Sequence, residues 1–186
     1  MEIILVRHGR PQQLATGRIT GREFGAWVRQ YDAAGIDRSL CPPAELQMRA
    51  RACACILASD RLRSIQSAQW LAANGKTVQT DGSFREAGLP ESIPIPIRLT
   101  PSACMVIARA LWWLTWCDAD EPIAATRERA GRAAETLLAL AREHGSVMLV
   151  GHGMFNRFLA ARLKTQGWRG PRHLPSSYWS AASFTC

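Results

Sequence analysis

The sequence predicts an α/β fold, and two observations carry that expectation. Short apolar runs of strand length recur at Ile3 to Val6, Cys53 to Ala58, Thr77 to Gln79 and Val147 to Val150, and stretches with helical apolar spacing lie between them. The opening MEIILV carries no basic segment and only four consecutive apolar residues before Arg7, so it reads as a first strand and not as a signal peptide. From Ser59 the spacing predicts a helix with Leu62, Ile65, Ala68 and Leu71 on one face, with Ser59 or Asp60 as its cap and Gly75 as its end. A second helix is expected after Thr100, with Pro101 at its first position, running through Val106, Ile107, Leu111 and Leu114 and stopping near Asp118. A third, from about Pro122 to His144, buries Ala130, Ala134, Leu137 and Leu138 and closes at Gly145 before the strand SVMLV. The prolines at 90, 94, 96 and 101 supply no ladder donors, so the stretch from Glu86 reads as an extended surface loop over the site. The tail from Tyr178 to Thr185 has the character of an edge strand.

A chain of 186 residues, 47% hydrophobic, buries one core and is too short for two comfortable domains, so residues 1–186 are expected to form a single domain. Of the 23 basic residues only Lys76 and Lys164 are lysine, and the formal net charge is +8. The arginines are scattered rather than gathered into a stripe, which argues against a nucleic-acid surface. Cys41, Cys53, Cys55, Cys104, Cys117 and Cys186 include no CxxC pair and no zinc-type spacing. Buried free thiols, with Cys53 and Cys55 on one face of a strand, fit a reducing compartment. No apolar run reaches membrane-spanning length, and the expectation is a cytoplasmic protein with no membrane partner.

Arg7, His8 and Gly9 follow the first strand directly, at the carboxyl end where open α/β sheets place their ligands. The tripeptide alone is moderately specific. His152, in LVGHGMF, repeats the context of a strand end followed by glycine. A histidine attacks phosphorus when its reacting nitrogen is unprotonated and the other ring nitrogen is held by a hydrogen bond. Guanidinium forks suit the negative oxygens of a phosphoryl group in transfer, and Arg7 is adjacent. Arg63, in SDRLRSIQSA, adds a second fork near the first turn of a helix, where amide donors already favour phosphate. Protonating the departing alkoxide needs an acid, and Glu86 or Glu91 is placed to supply it. No carboxylate or histidine cluster has metal-site spacing, so no metal and no cofactor are expected. Trp112, Trp113 and Trp116 share a helical face and read as core or interface packing.

Three separated motifs resemble the histidine phosphatase superfamily, also called phosphoglycerate mutase-like. They are Arg7-His8-Gly9 after the opening strand, the run Ser59, Arg63, Gln66, Ser67 and Ala68, and the late Gly151-His152-Gly153. The resemblance implies His8 as nucleophile, Arg7, Arg63 and His152 as the phosphate pocket, and Glu86 as proton donor. Where many relatives continue the first motif with Glu-Thr-x-x-Asn, this chain has Arg10, Pro11 and Leu14, so that asparagine contact is missing. The reading is a three-layer α/β/α sandwich with a mostly parallel central sheet. It is expected to hydrolyse a small-molecule phosphomonoester through a phosphohistidine intermediate. Mutase-type phosphoryl transfer is the first alternative, although the 65 residues between Glu86 and His152 leave little room for the insertions of mutases. A protein phosphohistidine phosphatase and a non-catalytic phosphate-binding module are the others.

Overall fold

A computed structural model describes residues 1–12, 17–72, 75–115 and 119–186. The expectations placed on Leu14, Trp116, Cys117 and Asp118 lie outside the described residues. The chain order is β1 (Glu2–Arg7), α1 (Phe24–Ala33), α2 (Ala44–Ala52), β2 (Cys55–Ser59), α3 (Leu62–Leu71), β3 (Val78–Asp81), a 3-10 turn (Gly82–Phe84), α4 (Pro101–Trp113), α5 (Ile123–His144), β4 (Ser146–Gly151), α6 (Gly153–Thr165) and β5 (Ala181–Thr185). The sheet runs β3-β2-β4-β1-β5. Its first four strands are mutually parallel, and β5 closes the edge antiparallel to β1.

Strands β1 and β4 are apolar without alternation because both sheet faces are covered. Ile3, Leu5, Val147 and Leu149 pack towards Leu137 of α5 and Phe155 and Leu159 of α6. Ile4, Val6, Met148 and Val150 pack on the other side towards Leu46 of α2 and Ala68 and Leu71 of α3. Each fully buried side chain of this size stabilises the fold by roughly 1.5–3 kcal/mol. The result is the three-layer arrangement expected from the sequence.

Register decides where the site lies. Arg7 pairs with Gly151, and Ala58 pairs with Val150. The residues that follow β1, β2 and β4, namely His8, the Ser59–Arg63 turn and His152, therefore leave the sheet side by side.

Several local expectations shift. Helix α3 is capped at Arg61 with no side-chain cap. Ser59 is instead bonded to His152, and Asp60 takes the Arg85 guanidinium at 2.8 Å. The buried face of α3 is Arg63, Ser64, Ser67, Ala68 and Leu71, while Leu62 is exposed, because the face turned inwards covers the site as well as the core. Helix α4 starts as expected, with Thr100 accepting from the Ala103 amide, but ends at Trp113. Its sequence is apolar nearly all round, so neighbours choose the buried face: Pro101, Cys104, Ala108 and Trp112 are covered and Val106 and Leu114 are exposed. Trp113 is half-exposed, yet it stacks on Phe158 at 5.8 Å and Trp112 meets the same ring edge-on at 6.1 Å, so the two tryptophans share one packing partner and differ in burial. Cys53 caps α2 rather than lying in the strand, and Cys41 and Cys186 are exposed free thiols rather than buried ones. Helices α1 and α2 had no clear sequence signal. Gly21, ahead of α1, and Gly25, in its first turn, are close-approach positions, since a Cβ there would strike the backbone oxygen of Ile93 or Glu91 at 1.9 or 2.3 Å. These glycines let the proline-rich loop lie directly against α1. Among the described residues, no helix is long and apolar enough to cross a membrane.

Candidate active site

His8 is buried at the end of β1, and its amide donates to the Gly151 carbonyl at 3.0 Å. Its Nδ1 lies 2.7 Å from the Gly9 carbonyl oxygen. A carbonyl only accepts, so Nδ1 carries the proton and Nε2 keeps its lone pair. Burial, then the charges of Arg63 and Arg7, push the His8 pKa down to about 3, against the opposing pull of the Gly9 carbonyl. Gly9 is a close-approach position: a Cβ there would meet the Trp179 ring at 2.4 Å. Its amide donates to Ser67 Oγ at 2.8 Å, and Ser67 donates in turn to the Arg63 carbonyl at 2.6 Å. The first motif and the α3 motif are thus joined by hydrogen bonds.

His152 is buried against His8, with ring centroids 5.1 Å apart and planes at 65°. Its Nε2 is 2.9 Å from Ser59 Oγ and 3.3 Å from Ser64 Oγ, and its Nδ1 is 3.5 Å from Arg63 Nη2. Since a guanidinium only donates, Nδ1 is the acceptor and Nε2 donates to serine. Burial, followed by the neighbouring His8 and the arginines, holds the His152 pKa well below its ordinary value. Both imidazoles are neutral near pH 7.

Arg63, in the first turn of α3, is buried and held from α1. It donates to the Tyr31 carbonyl at 3.2 Å and to Asp32 Oδ1 at 3.1 Å, and its guanidinium lies 4.8 Å from the Tyr31 ring centroid. Arg7 is held by the C-terminal segment, donating to the Ser176 carbonyl with its guanidinium 4.4 Å from the Tyr178 centroid. In each arginine Nε is buried and has no hydrogen-bond partner among the described residues. A tetrahedral oxyanion bound between them satisfies such donors.

Glu86 follows the 3-10 turn and reaches the start of α6. Its carboxylate accepts from the Phe155 amide at 2.8 Å and the Met154 amide at 3.1 Å, capping a helix whose N-cap residue, His152, supplies no side-chain bond. Arg129 of α5 pins this turn by donating to the Ser83 and Arg85 carbonyls at 2.7 and 2.8 Å while paired with Glu121. Glu91 points away: it sits at the surface, 3.9 Å from Arg29.

Arg7, His8, Arg63, Glu86 and His152 line one cleft of about 180 Å³. All five expected residues come together, and Glu91 does not join them. Arg85 and Arg98 are engaged elsewhere, by Asp60 and Glu23. Sequence reasoning missed Tyr31, Asp32 and Tyr178, which hold the two arginines. One signal was available: the chain has only two tyrosines, and both are here. Burial and the Tyr178 phenol raise the Tyr31 hydroxyl above its ordinary pKa, so it remains a neutral donor.

The fold and cleft define an α/β protein with paired histidines and two guanidinium groups at the carboxyl end of a parallel sheet. Residues 43–186 match the histidine phosphatase superfamily (branch 1), and the chain belongs to that superfamily. The matched span begins after Arg7-His8-Gly9, so that motif stands on its own geometry. No curated protein sequence matches the chain significantly. The fold is similar to that of a Mycobacterium tuberculosis open reading frame product, with a TM-score of 0.62 and 19% identity over 98% of this chain and 89% of that one. It is also similar to a phosphoserine phosphatase from Entamoeba histolytica solved with 3-phosphoglyceric acid, with a TM-score of 0.59 and 16% identity over 99% and 90% of the two chains. An alpha-ribazole phosphatase from Shigella flexneri gives a TM-score of 0.57 and 16% identity over 98% and 89%.

Proposed function

We propose that the protein is a metal-independent phosphatase that hydrolyses a small phosphomonoester through a phosphohistidine on His8. The observation that carries this reading is the state of His8: a neutral ring, proton on Nδ1, Nε2 free, in one cleft with Arg7 and Arg63. Nε2 attacks phosphorus and the bond to the ester oxygen breaks. Arg7 and Arg63 carry the charge on the equatorial oxygens, and Glu86, entering this step in its protonated form, supplies the proton to the departing alkoxide and is left as the carboxylate. Water then attacks the phosphohistidine, its proton returns to Glu86, and inorganic phosphate leaves. Ser59 and Ser64 fix the His152 ring beside the reacting centre. Membership of the superfamily supports the reading, as do the phosphatase descriptions of structural neighbours. The test is phosphate release from an activated aryl phosphate with excess chelator, comparing wild type with His8→Ala. Turnover that survives chelator and is lost in a folded His8→Ala variant is the expected result. Equal turnover in the two proteins refutes the mechanism.

A further inference from the structure

The cleft that holds His8 does not end at the phosphoryl-binding residues. It continues into a second chamber of about 340 Å³, and Val28, Asp32, Arg61, Leu89 and Asp120 line both spaces. A phosphomonoester with its phosphorus at His8 therefore extends its alcohol portion past these five side chains.

Their charges are unevenly matched. Of the two cations of the outer chamber, Arg61 is held by Asp32 at 3.2 Å, whereas Arg29 makes only a solvent-exposed contact of 3.9 Å with Glu91 at the outer rim. Asp32 is further tied to Arg63 at 3.1 Å. Asp120, which lines both chambers, has no cationic partner among the described residues. Where the two chambers share their lining, a second anionic group on the substrate meets only Arg61, already held by Asp32, and faces the Asp120 carboxylate. An ammonium or hydroxyl group finds an acceptor that makes no ion pair with any described residue, and Val28 and Leu89 flank its carbon stem.

We propose that the outer chamber is a leaving-group subsite selecting phosphomonoesters whose alcohol carries an ammonium or other hydrogen-bond donor, with Asp120 as its specificity-determining residue. This rests on the phosphatase reading for the position of phosphorus. It concerns the opposite end of the substrate.

The test uses three matched series of increasing chain length: ω-aminoalkyl, ω-hydroxyalkyl and ω-carboxyalkyl phosphates. kcat/KM is measured for each, together with binding to the wild-type protein by protection against thermal unfolding, which requires no turnover. Asp120 is exposed, so the amine is expected to exceed the carboxylate of equal length by roughly fivefold, and the ratio to shrink with added salt. Asp120→Asn should bring the ratio towards one, and Asp120→Lys should invert it. A wild-type preference for the carboxylate, equal treatment of the two series, or a ratio that survives Asp120→Asn overturns the proposal. Absence of turnover on every phosphate, aryl phosphate included, removes the catalytic reading alone. The binding ratio then still decides the subsite.

Discussion

Two neutral histidines packed ring to ring make the fold sensitive to acid before its carboxylates titrate. His8 has an ordinary pKa of 6.5 in the unfolded chain and about 3 in the folded one. Between these values the unfolded state binds a proton that the folded state refuses, so acid favours unfolding. The stability contributed by neutral His8 is thus fully present above pH 6.5, falls as the pH drops, and is lost by about pH 3. Between pH 7 and 5, with a slope that rises to about 1.4 kcal/mol per pH unit as the unfolded histidine becomes protonated, His8 alone removes about 2 kcal/mol. His152 is shifted in the same direction and adds to the loss. Against a typical domain stability of about 5–15 kcal/mol this is a large fraction. Urea unfolding at pH 7 and pH 5 measures it, and His8→Gln, which cannot take the proton, should lose about 2 kcal/mol less than wild type over that interval. The functional side of the same fact is that His8, the proposed nucleophile, stays unprotonated throughout the range. Stability that is flat between pH 7 and 5, together with a His8 ring proton titrating near 6.5 by NMR, would refute the reasoning for burial and catalysis alike.

Glu86→Gln should act twice, because its carboxylate both caps α6 and lies in the cleft. Turnover of alkyl phosphates, whose leaving group needs the proton, should fall far more than turnover of activated aryl phosphates, and thermal unfolding should show a loss of about 1 kcal/mol from the weakened cap. Equal kinetic losses on both substrates would leave Glu86 a structural residue only. Gly25→Ala separates helix propensity from packing. Alanine in a helix gains about 1 kcal/mol over glycine, yet the new Cβ would stand 2.3 Å from the Glu91 carbonyl oxygen. Net destabilisation of about 1–3 kcal/mol is expected from chemical denaturation, since backbone cannot step aside as a side chain can. A stabilised variant would show that the proline-rich loop is not seated on α1.

The strands and the long helix were legible in the sequence because their signals are local. A continuous apolar run such as Ile3 to Val6 has few ways to be buried other than as a covered strand, and Pro122 and Gly145 bracket α5 through their own backbone preferences. The same holds for His8, Arg63 and His152, whose place at strand ends and in a helix's first turn implies one shared edge once the sheet is parallel. Other features depended on what lies across the gap. Which side of α4 is buried was not legible, because apolar residues occur nearly all round it and the neighbouring layer selects the face. On α3 the expected face held at Ala68 and Leu71, but the site draws in Arg63, Ser64 and Ser67 and leaves Leu62 exposed. The choice of Glu86 over Glu91 came from the amides at the start of α6 and from Arg129, all distant in sequence. Tyr31, Asp32 and Tyr178 sit in segments without a motif. Their role exists only because α1 and the C-terminal segment converge on Arg63 and Arg7. By itself the sequence determined the α/β class, through periodicity, and pointed to the superfamily and to the candidate residues for phosphoryl chemistry through three motifs that resemble it. Only the tertiary structure decided how the arginines are held, which carboxylate enters the cleft and what lines its outer chamber, because each depends on contacts between segments far apart in the chain.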